Sequence, residues 1–100
     1  MNKNYPHFVI TFPSVHHALK FEAVFKKVNT PVSLIPVPRE ISSSCGVAAK
    51  LVYIDLDMGL SVMQENGLEY DAIYKYKEPN KKPELIQNYQ EEEWHQYLRR

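Results

Sequence analysis

The sequence has little cysteine, no excess of either charge and no long apolar run. Its 100 residues include one cysteine, so no disulfide can form within the chain and cysteines alone cannot hold a metal ion. Twelve Lys and Arg balance twelve Asp and Glu, which disfavours a nucleic-acid binder or a protein held on a membrane by basic residues. No segment approaches the roughly 20 apolar residues of a membrane span, and the N-terminus lacks the apolar stretch of a signal peptide. These absences predict a cytoplasmic protein whose single thiol stays reduced.

The pattern of apolar residues predicts four strands and two helices. Short runs of β-branched and aromatic residues predict strands at residues 8–12, 32–37, 48–54 and 70–76. Apolar residues that recur every three or four positions predict one helix after the first strand and another after the third. Ser14 is expected to cap the first helix, which ends near Asn29. Asp55 or Asp57 is expected to cap the second helix, with Gly67 just past its end.

This order of elements, β-α-β-β-α-β, predicts an α+β fold of the ferredoxin-like kind for a domain at residues 1–76. Such a fold has a four-stranded antiparallel sheet with both helices on one face. The prolines of the second strand favour an edge position, because proline cannot donate to a β-ladder.

Residues 77–100 have a different composition and are predicted to form a linker followed by an amphipathic helix. Leu85, Tyr89, Glu93 and Tyr97 recur every four residues, which is typical of one helix face. We expect residues 83–99 to pack on the sheet or on a second copy of the chain, since an open sheet edge needs a cover. A homodimer is one possible arrangement.

The predicted topology places Cys45 beside the start of the first helix. Strands 1 and 3 are expected to be antiparallel neighbours, so the end of one and the beginning of the other share a sheet edge. Ser14, His16 and His17 follow strand 1, and Cys45 precedes strand 3. Free amides at a helix N-terminus stabilise an anion, so this placement favours the thiolate of Cys45.

The neighbours of Cys45 in the sequence are typical of a reactive, partly exposed thiol. Ser44 and the two serines before it supply hydroxyl groups, Arg39 supplies positive charge, and Gly46 permits a close backbone approach or a positive φ. A passive cysteine is the alternative interpretation.

The histidines offer weaker candidates. His16 and His17 point about 100° apart on a helix, so both are not expected to serve one site. A metal site formed by this pair and Cys45 would have no characteristic spacing, and no metal is predicted. His7 and His95 are expected to lie on the surface, and the tyrosines of the fourth strand to pack within the sheet.

Three segments carry a family resemblance: ITFPSVHHALKFE, PVSLIPVPREISSSCGVAAKL and GLEYDAIYKY. They resemble the selenium/sulfur (Se/S) carrier protein-like family, whose hallmarks are F-x-S-x-H-x-A-L at a helix start and then I-P-x-P-R-x-I-S-S-x-C-G. The resemblance implies that Cys45 is the family's carrier cysteine and Gly46 its partner glycine. It also implies that Arg39, Ser14 and His16 are motif residues that support the thiol.

The function implied is a carrier in sulfur or selenium metabolism. Cys45 would accept sulfur or selenium from a donor protein as a persulfide or selenopersulfide and pass it to an acceptor protein, without any cofactor. The absence of a second cysteine suits this task, because a second thiol would release the cargo. The alternative is a non-catalytic binding, regulatory or interaction module that uses the loop at residues 38–46. A turnover enzyme is disfavoured, because no carboxylate stands in a convincing place to orient a histidine base.

Overall fold

The computed structural model describes residues 5–41, 43, 45–52 and 56–88. Two helices and five strands lie within these residues. In chain order the elements are β1 (His7–Thr11), α1 (Val15–Lys27), β2 (Ser33–Pro36), β3 (Val47–Val52), α2 (Leu56–Glu65), β4 (Ala72–Tyr76) and β5 (Glu84–Asn88). The fold is therefore of the α+β class, and the first six elements follow the predicted order.

Both helices end where the sequence predicts, and for the same reason. Asn29 takes a left-handed backbone conformation with φ of 57°, and the next amide, that of Thr30, donates to the carbonyl of Phe25 at 3.0 Å. Gly67 takes φ of 60°, and the amide of Leu68 donates to the carbonyl of Met63 at 2.9 Å. Each bond pairs a carbonyl that the last helical turn leaves without an intrahelical donor, so the chain turns sharply away.

The five strands form one antiparallel sheet in the order β2-β3-β1-β4-β5. β1 lies between β3 and β4, and Thr11 at its end stands opposite Ala48 on one side and Ala72 on the other. The predicted antiparallel pairing of the first and third strands is confirmed. β2 lies at an edge, as the prolines around it indicate.

The predictions of a four-stranded sheet and of a helix from Leu85 onward are wrong for the part of the tail that the structure describes. Glu84–Asn88 form a fifth strand that pairs with β4, with an irregular register opposite Ile73 and Tyr74. Lys77 forms an ion pair with Glu84 at 3.2 Å across this connection. The free edge of β4 selects the strand, since a ladder of backbone hydrogen bonds outweighs a weak helical pattern. The remaining predicted helical positions, Tyr89, Glu93 and Tyr97, lie outside the described residues.

The sheet has two faces with different coverings. The first, called here the helix face, packs against α1 and α2 and holds the larger buried cluster: Ile10, Phe12, Ala18, Phe21, Phe25, Ala49, Leu51, Met63, Leu68, Tyr70 and Ile73. The second, called here the loop face, holds a smaller buried cluster: Val9, Ile41, Ala48 and Tyr76. Ile41 belongs to the loop between β2 and β3, so this loop covers part of the second face. In the described parts of the chain, neither helix is long and apolar enough to cross a membrane.

Candidate functional site

Polar and nucleophilic residues from three segments of the chain lie at one edge of the sheet. Thr11 is paired with Ala48 and with Ala72, so the end of β1 and the beginnings of β3 and β4 meet there. Ser14 lies three residues after Thr11, while Cys45 and Glu69 lie three residues before those partners. This register agrees with the predicted placement of Cys45 at the edge where α1 begins.

Cys45 is buried, with 5 % of its surface exposed, so the predicted partial exposure is wrong. Its backbone amide donates to the Ser43 hydroxyl at 3.3 Å, and its thiol donates to the Val47 carbonyl at 3.5 Å. These two contacts hold the cysteine within its own stretch of chain. Polar neighbours in the sequence therefore did not predict the exposure of the thiol.

The loop that contains Cys45 is held by two backbone hydrogen bonds among its described residues. The amide of Val37 donates to the carbonyl of Gly46 at 3.2 Å, which closes the loop at its base. The amide of Ile41 donates to the carbonyl of Pro38 at 3.0 Å, and the Ile41 side chain is buried on the loop face. The loop is thus anchored at its base and by one apolar side chain, and Cys45 lies directly before the closing residue.

Gly46 plays a different part from the one predicted. Its φ is not positive, and a Cβ atom placed on it would meet nothing within 4 Å. The expected close approach or left-handed conformation is therefore wrong. Gly46 is exposed, so the space directly beside the buried cysteine is open to solvent.

Ser14, His17 and Glu69 form a chain of polar contacts at the same edge. The Ser14 hydroxyl and His17 Nδ1 lie 2.7 Å apart, and His17 Nε2 lies 3.5 Å from a carboxylate oxygen of Glu69. Ser14 occupies the N-cap position with extended backbone, but its side chain makes no capping bond, because it contacts His17 instead. Glu69 forms an ion pair when His17 is protonated.

The sequence did not predict Glu69 as a site residue, although Glu69 supplies the carboxylate that can orient a histidine base. The signal was available in the predicted topology, since Glu69 precedes the fourth strand at the edge where the first helix begins. The structure also distinguishes the two adjacent histidines. His17 faces Ser14 and Glu69, whereas His16 is exposed and makes no side-chain hydrogen bond or ion pair within the described residues.

The remaining predicted site residues are not drawn together. Arg39 is exposed on the loop, and within the described residues it forms no ion pair. Ser44, with its neighbour Ser42, lies outside the described residues. Among the residues described, no group of three or more His, Cys, Asp and Glu side chains could hold a metal ion.

A second polar cluster occupies the loop face, and it includes His7, which was predicted to lie on the surface. His7 is buried between two tyrosine rings, with centroid distances of 4.8 Å to Tyr5 and 4.9 Å to Tyr76. The Tyr76 hydroxyl donates to a carboxylate oxygen of Glu40 at 3.0 Å. Burial, and then this contact with Glu40, raise the pKa of Tyr76 well above its usual range, so the phenol remains a donor. The prediction for His7 failed because β1 and β4 place it directly opposite Tyr76.

Comparison with known families identifies the chain. Residues 7–75 match the family described as "Putative Se/S carrier protein-like", and the matched segment runs from β1 to β4. The chain belongs to this family. The matched segment includes Cys45 and the whole loop that precedes it, whereas β5 follows it. Among curated proteins and among solved structures, the comparisons find no significant match to this chain.

Proposed function

We propose that this protein carries sulfur or selenium on Cys45 and passes it between partner proteins. The observation that carries the proposal is the family match over residues 7–75, which contains the chain's one cysteine. A carrier needs one loading point and no competing thiol in the same chain, because a second thiol would attack the loaded sulfur and release the cargo.

The loading step is a thiol exchange that balances without any added oxidant. The Cys45 thiolate attacks the outer sulfur of a donor persulfide, a new S–S bond forms on Cys45, and the donor leaves as a thiolate. With a donor selenopersulfide, the outer selenium is transferred in the same way. Delivery is the reverse process, in which a thiolate of the acceptor protein takes the outer atom and Cys45 is regenerated.

Burial of Cys45 means that its loop has to move before the thiol can react. The Cys45 thiol donates to the Val47 carbonyl and the Cys45 amide donates to the Ser43 hydroxyl, and both are weak local contacts. The open space at Gly46 gives an approaching chain a place to contact the backbone directly beside the thiol. We propose that docking of a partner at Gly46 speeds this movement, and that the closed loop slows the reaction of the thiol with small oxidants between transfers.

Supporting roles go to the residues at the helix start and on the loop. Arg39 and the free amides at the start of α1 would stabilise the anionic cargo, with Ser14, His16 and Ser44 as further contacts. The chain of contacts from Ser14 through His17 to Glu69 adds a histidine whose orientation is fixed. We propose His17 as the proton donor or acceptor at this edge during transfer.

The fold supports a related proposal. The first four strands lie in the order β2-β3-β1-β4, and both helices pack in the one cluster on the helix face. We propose that these elements form a ferredoxin-like domain, to which β5 adds a further strand beside β4. Such domains serve many functions, so the fold alone does not select the carrier role.

A transfer assay with a small donor tests the proposal. The reduced protein is mixed with glutathione persulfide, and sulfane sulfur on the protein is measured after removal of the donor. We expect about one sulfur atom per chain on the unaltered protein and none on Cys45→Ser, because serine cannot form a persulfide. Arg39→Gln is expected to load more slowly to the same final level.

The same experiment distinguishes the alternative function, a binding or interaction module that uses the loop at residues 38–46. Such a module would retain its binding partner in the Cys45→Ser variant, since the thiol would contribute only its size. If the unaltered protein remains free of sulfane sulfur with donor in excess, the carrier proposal is wrong. Circular dichroism of both proteins establishes that the substitution leaves the fold intact.

A further inference from the structure

A cavity of about 300 Å³ opens between the loop that precedes β3 and the turn that joins β4 to β5. Its walls combine two aromatic rings with charged and polar groups: Tyr5, Glu40, Tyr76, Glu78, Asn80, Lys81 and Lys82. This volume is at the small end of the range for sites that hold metabolites. A cavity of this size can hold a small molecule.

Most of the residues that line the cavity lie outside the segment that matches the family. The family match ends at residue 75, and five of the lining residues lie beyond it: Tyr76 at the end of β4, and then Glu78, Asn80, Lys81 and Lys82 of the following turn. The turn that supplies them exists because β5 pairs with β4 and returns the chain along the sheet. Most of the lining of this cavity therefore lies outside the segment that the family match covers.

The charges of the cavity leave one group of each sign available to a ligand. Lys81 and Glu78 form an ion pair with each other at 3.5 Å, so their charges offset. Glu40 receives a hydrogen bond from Tyr76 on one carboxylate oxygen, and in the part of the chain that the structure describes it forms no ion pair. Within the described residues, Lys82 forms no ion pair. A carboxylate on one wall and a free ammonium group on another fit a ligand that carries both charges.

The aromatic rings and Glu40 both attract the positively charged end of a ligand. Tyr5 and Tyr76 line the cavity, and the ring of His7 packs against both, stacked on Tyr76 and tilted against Tyr5. Tyrosine faces attract cations, and the attraction is stronger where water is partly excluded. A ligand ammonium group near Glu40 would thus contact a carboxylate and aromatic carbon together, and its carboxylate would reach Lys82.

We infer that this cavity binds a small zwitterion, of the class of free α-amino acids. The ammonium group lies against Glu40 and the tyrosines, and the carboxylate pairs with Lys82. The inference does not depend on the carrier role, since it uses neither Cys45 nor the sheet edge. A free anion fits poorly because of Glu40, and a free cation fits poorly because of Lys82.

Three matched probes test this inference by calorimetric titration of the full chain. L-phenylalanine carries both charges, N-acetyl-L-phenylalanine carries only the negative one, and phenethylamine carries only the positive one. We expect L-phenylalanine to bind most tightly, with each single-charge probe weaker by about fivefold or more, the effect of one partly exposed charge contact. No binding of L-phenylalanine at millimolar concentration, or equal binding of phenethylamine, would overturn the inference.

Two substitutions locate the binding. Glu40→Gln removes the charge but keeps an oxygen that can accept from Tyr76, and Lys82→Gln removes the free ammonium group. Each is expected to weaken L-phenylalanine binding about fivefold. Lys27→Gln, which neutralises an exposed lysine of α1 away from the cavity, is the matched control and should change nothing. Equal affinity in all three variants would place the ligand elsewhere and contradict the assignment.

Discussion

The two faces of the sheet are covered by different kinds of side chain. The difference separates the residues that stabilise the fold from those that can contact a ligand or a partner. The helix face is closed by apolar side chains, among which Phe21 lies 5.2 Å from Phe12 and 4.3 Å from Phe25 between ring centroids. The loop face mixes apolar side chains with His7, Tyr76 and Glu40, and one loop covers part of it. Dry aromatic packing stabilises the fold, whereas polar contacts under a loop can be exchanged for a ligand or a partner.

The largest effect is expected on the helix face. Phe21→Ala removes a fully buried ring that stacks on Phe25 and meets Phe12 edge to face, and should lower the free energy of unfolding by about 3–5 kcal/mol. Leu19→Ala is the matched control on the same helix, because Leu19 is half exposed and should change stability by less than about 0.5 kcal/mol. Urea denaturation measures both. Similar losses for the two variants would show that this face is not the main core.

A smaller effect is expected on the loop face. Tyr76→Phe keeps the ring that stacks on His7 but removes the hydrogen bond to Glu40, which should cost about 1 kcal/mol. The loss frees one anchor of the loop, so Cys45 should react with a thiol reagent up to about fivefold faster.

Tyr74→Phe is the control for this variant, since Tyr74 lies on the same strand and makes no such contact with Glu40. The reagent is Ellman's reagent at fixed pH, with the reaction followed over time. An unchanged rate in Tyr76→Phe would mean that the bond to Glu40 does not restrain the loop.

The smallest effect concerns pH. The pKa of Tyr76 is raised in the folded chain, so the unfolded chain loses this proton first as the pH rises through the ordinary tyrosine value of 10.0. The unfolded state then binds fewer protons than the folded state, and stability falls with rising pH. The contribution of the protonated Tyr76 to stability is complete below pH 10.0 and is lost as the pH rises above that value. The free energy of unfolding, measured from pH 8 to pH 11, should therefore fall more steeply for the unaltered protein than for Tyr76→Phe. Parallel curves for the two proteins would contradict a raised pKa.

The parts of the fold that sequence predicted are those that local chemistry decides. Asn29 and Gly67 end helices because each can adopt a left-handed backbone, a property of the residue itself. β5 could not be predicted in this way. Leu85 and Ile86 suit a helix and a strand equally, and only the free edge of β4 decides between them.

The candidate site likewise has features that could be predicted from the sequence and features that could not. The shared sheet edge of Ser14 and Cys45 followed from strand order, a rule of topology that needs no side-chain detail. The contact between His17 and Glu69 and the stacking of His7 on Tyr76 depend on residues distant in the sequence. Their long-range contacts become visible only when the register of the strands is known.

The most direct test of the central claim is the mass of Cys45 in the protein purified without reductant. Intact-protein mass spectrometry, followed by mapping of the peptide that contains Cys45, measures whether an atom of sulfur or selenium has been added. The carrier account predicts such an added atom on part of the protein, lost on treatment with dithiothreitol and absent from Cys45→Ser. A free thiol throughout, in cells supplied with both sulfur and selenium, would contradict it.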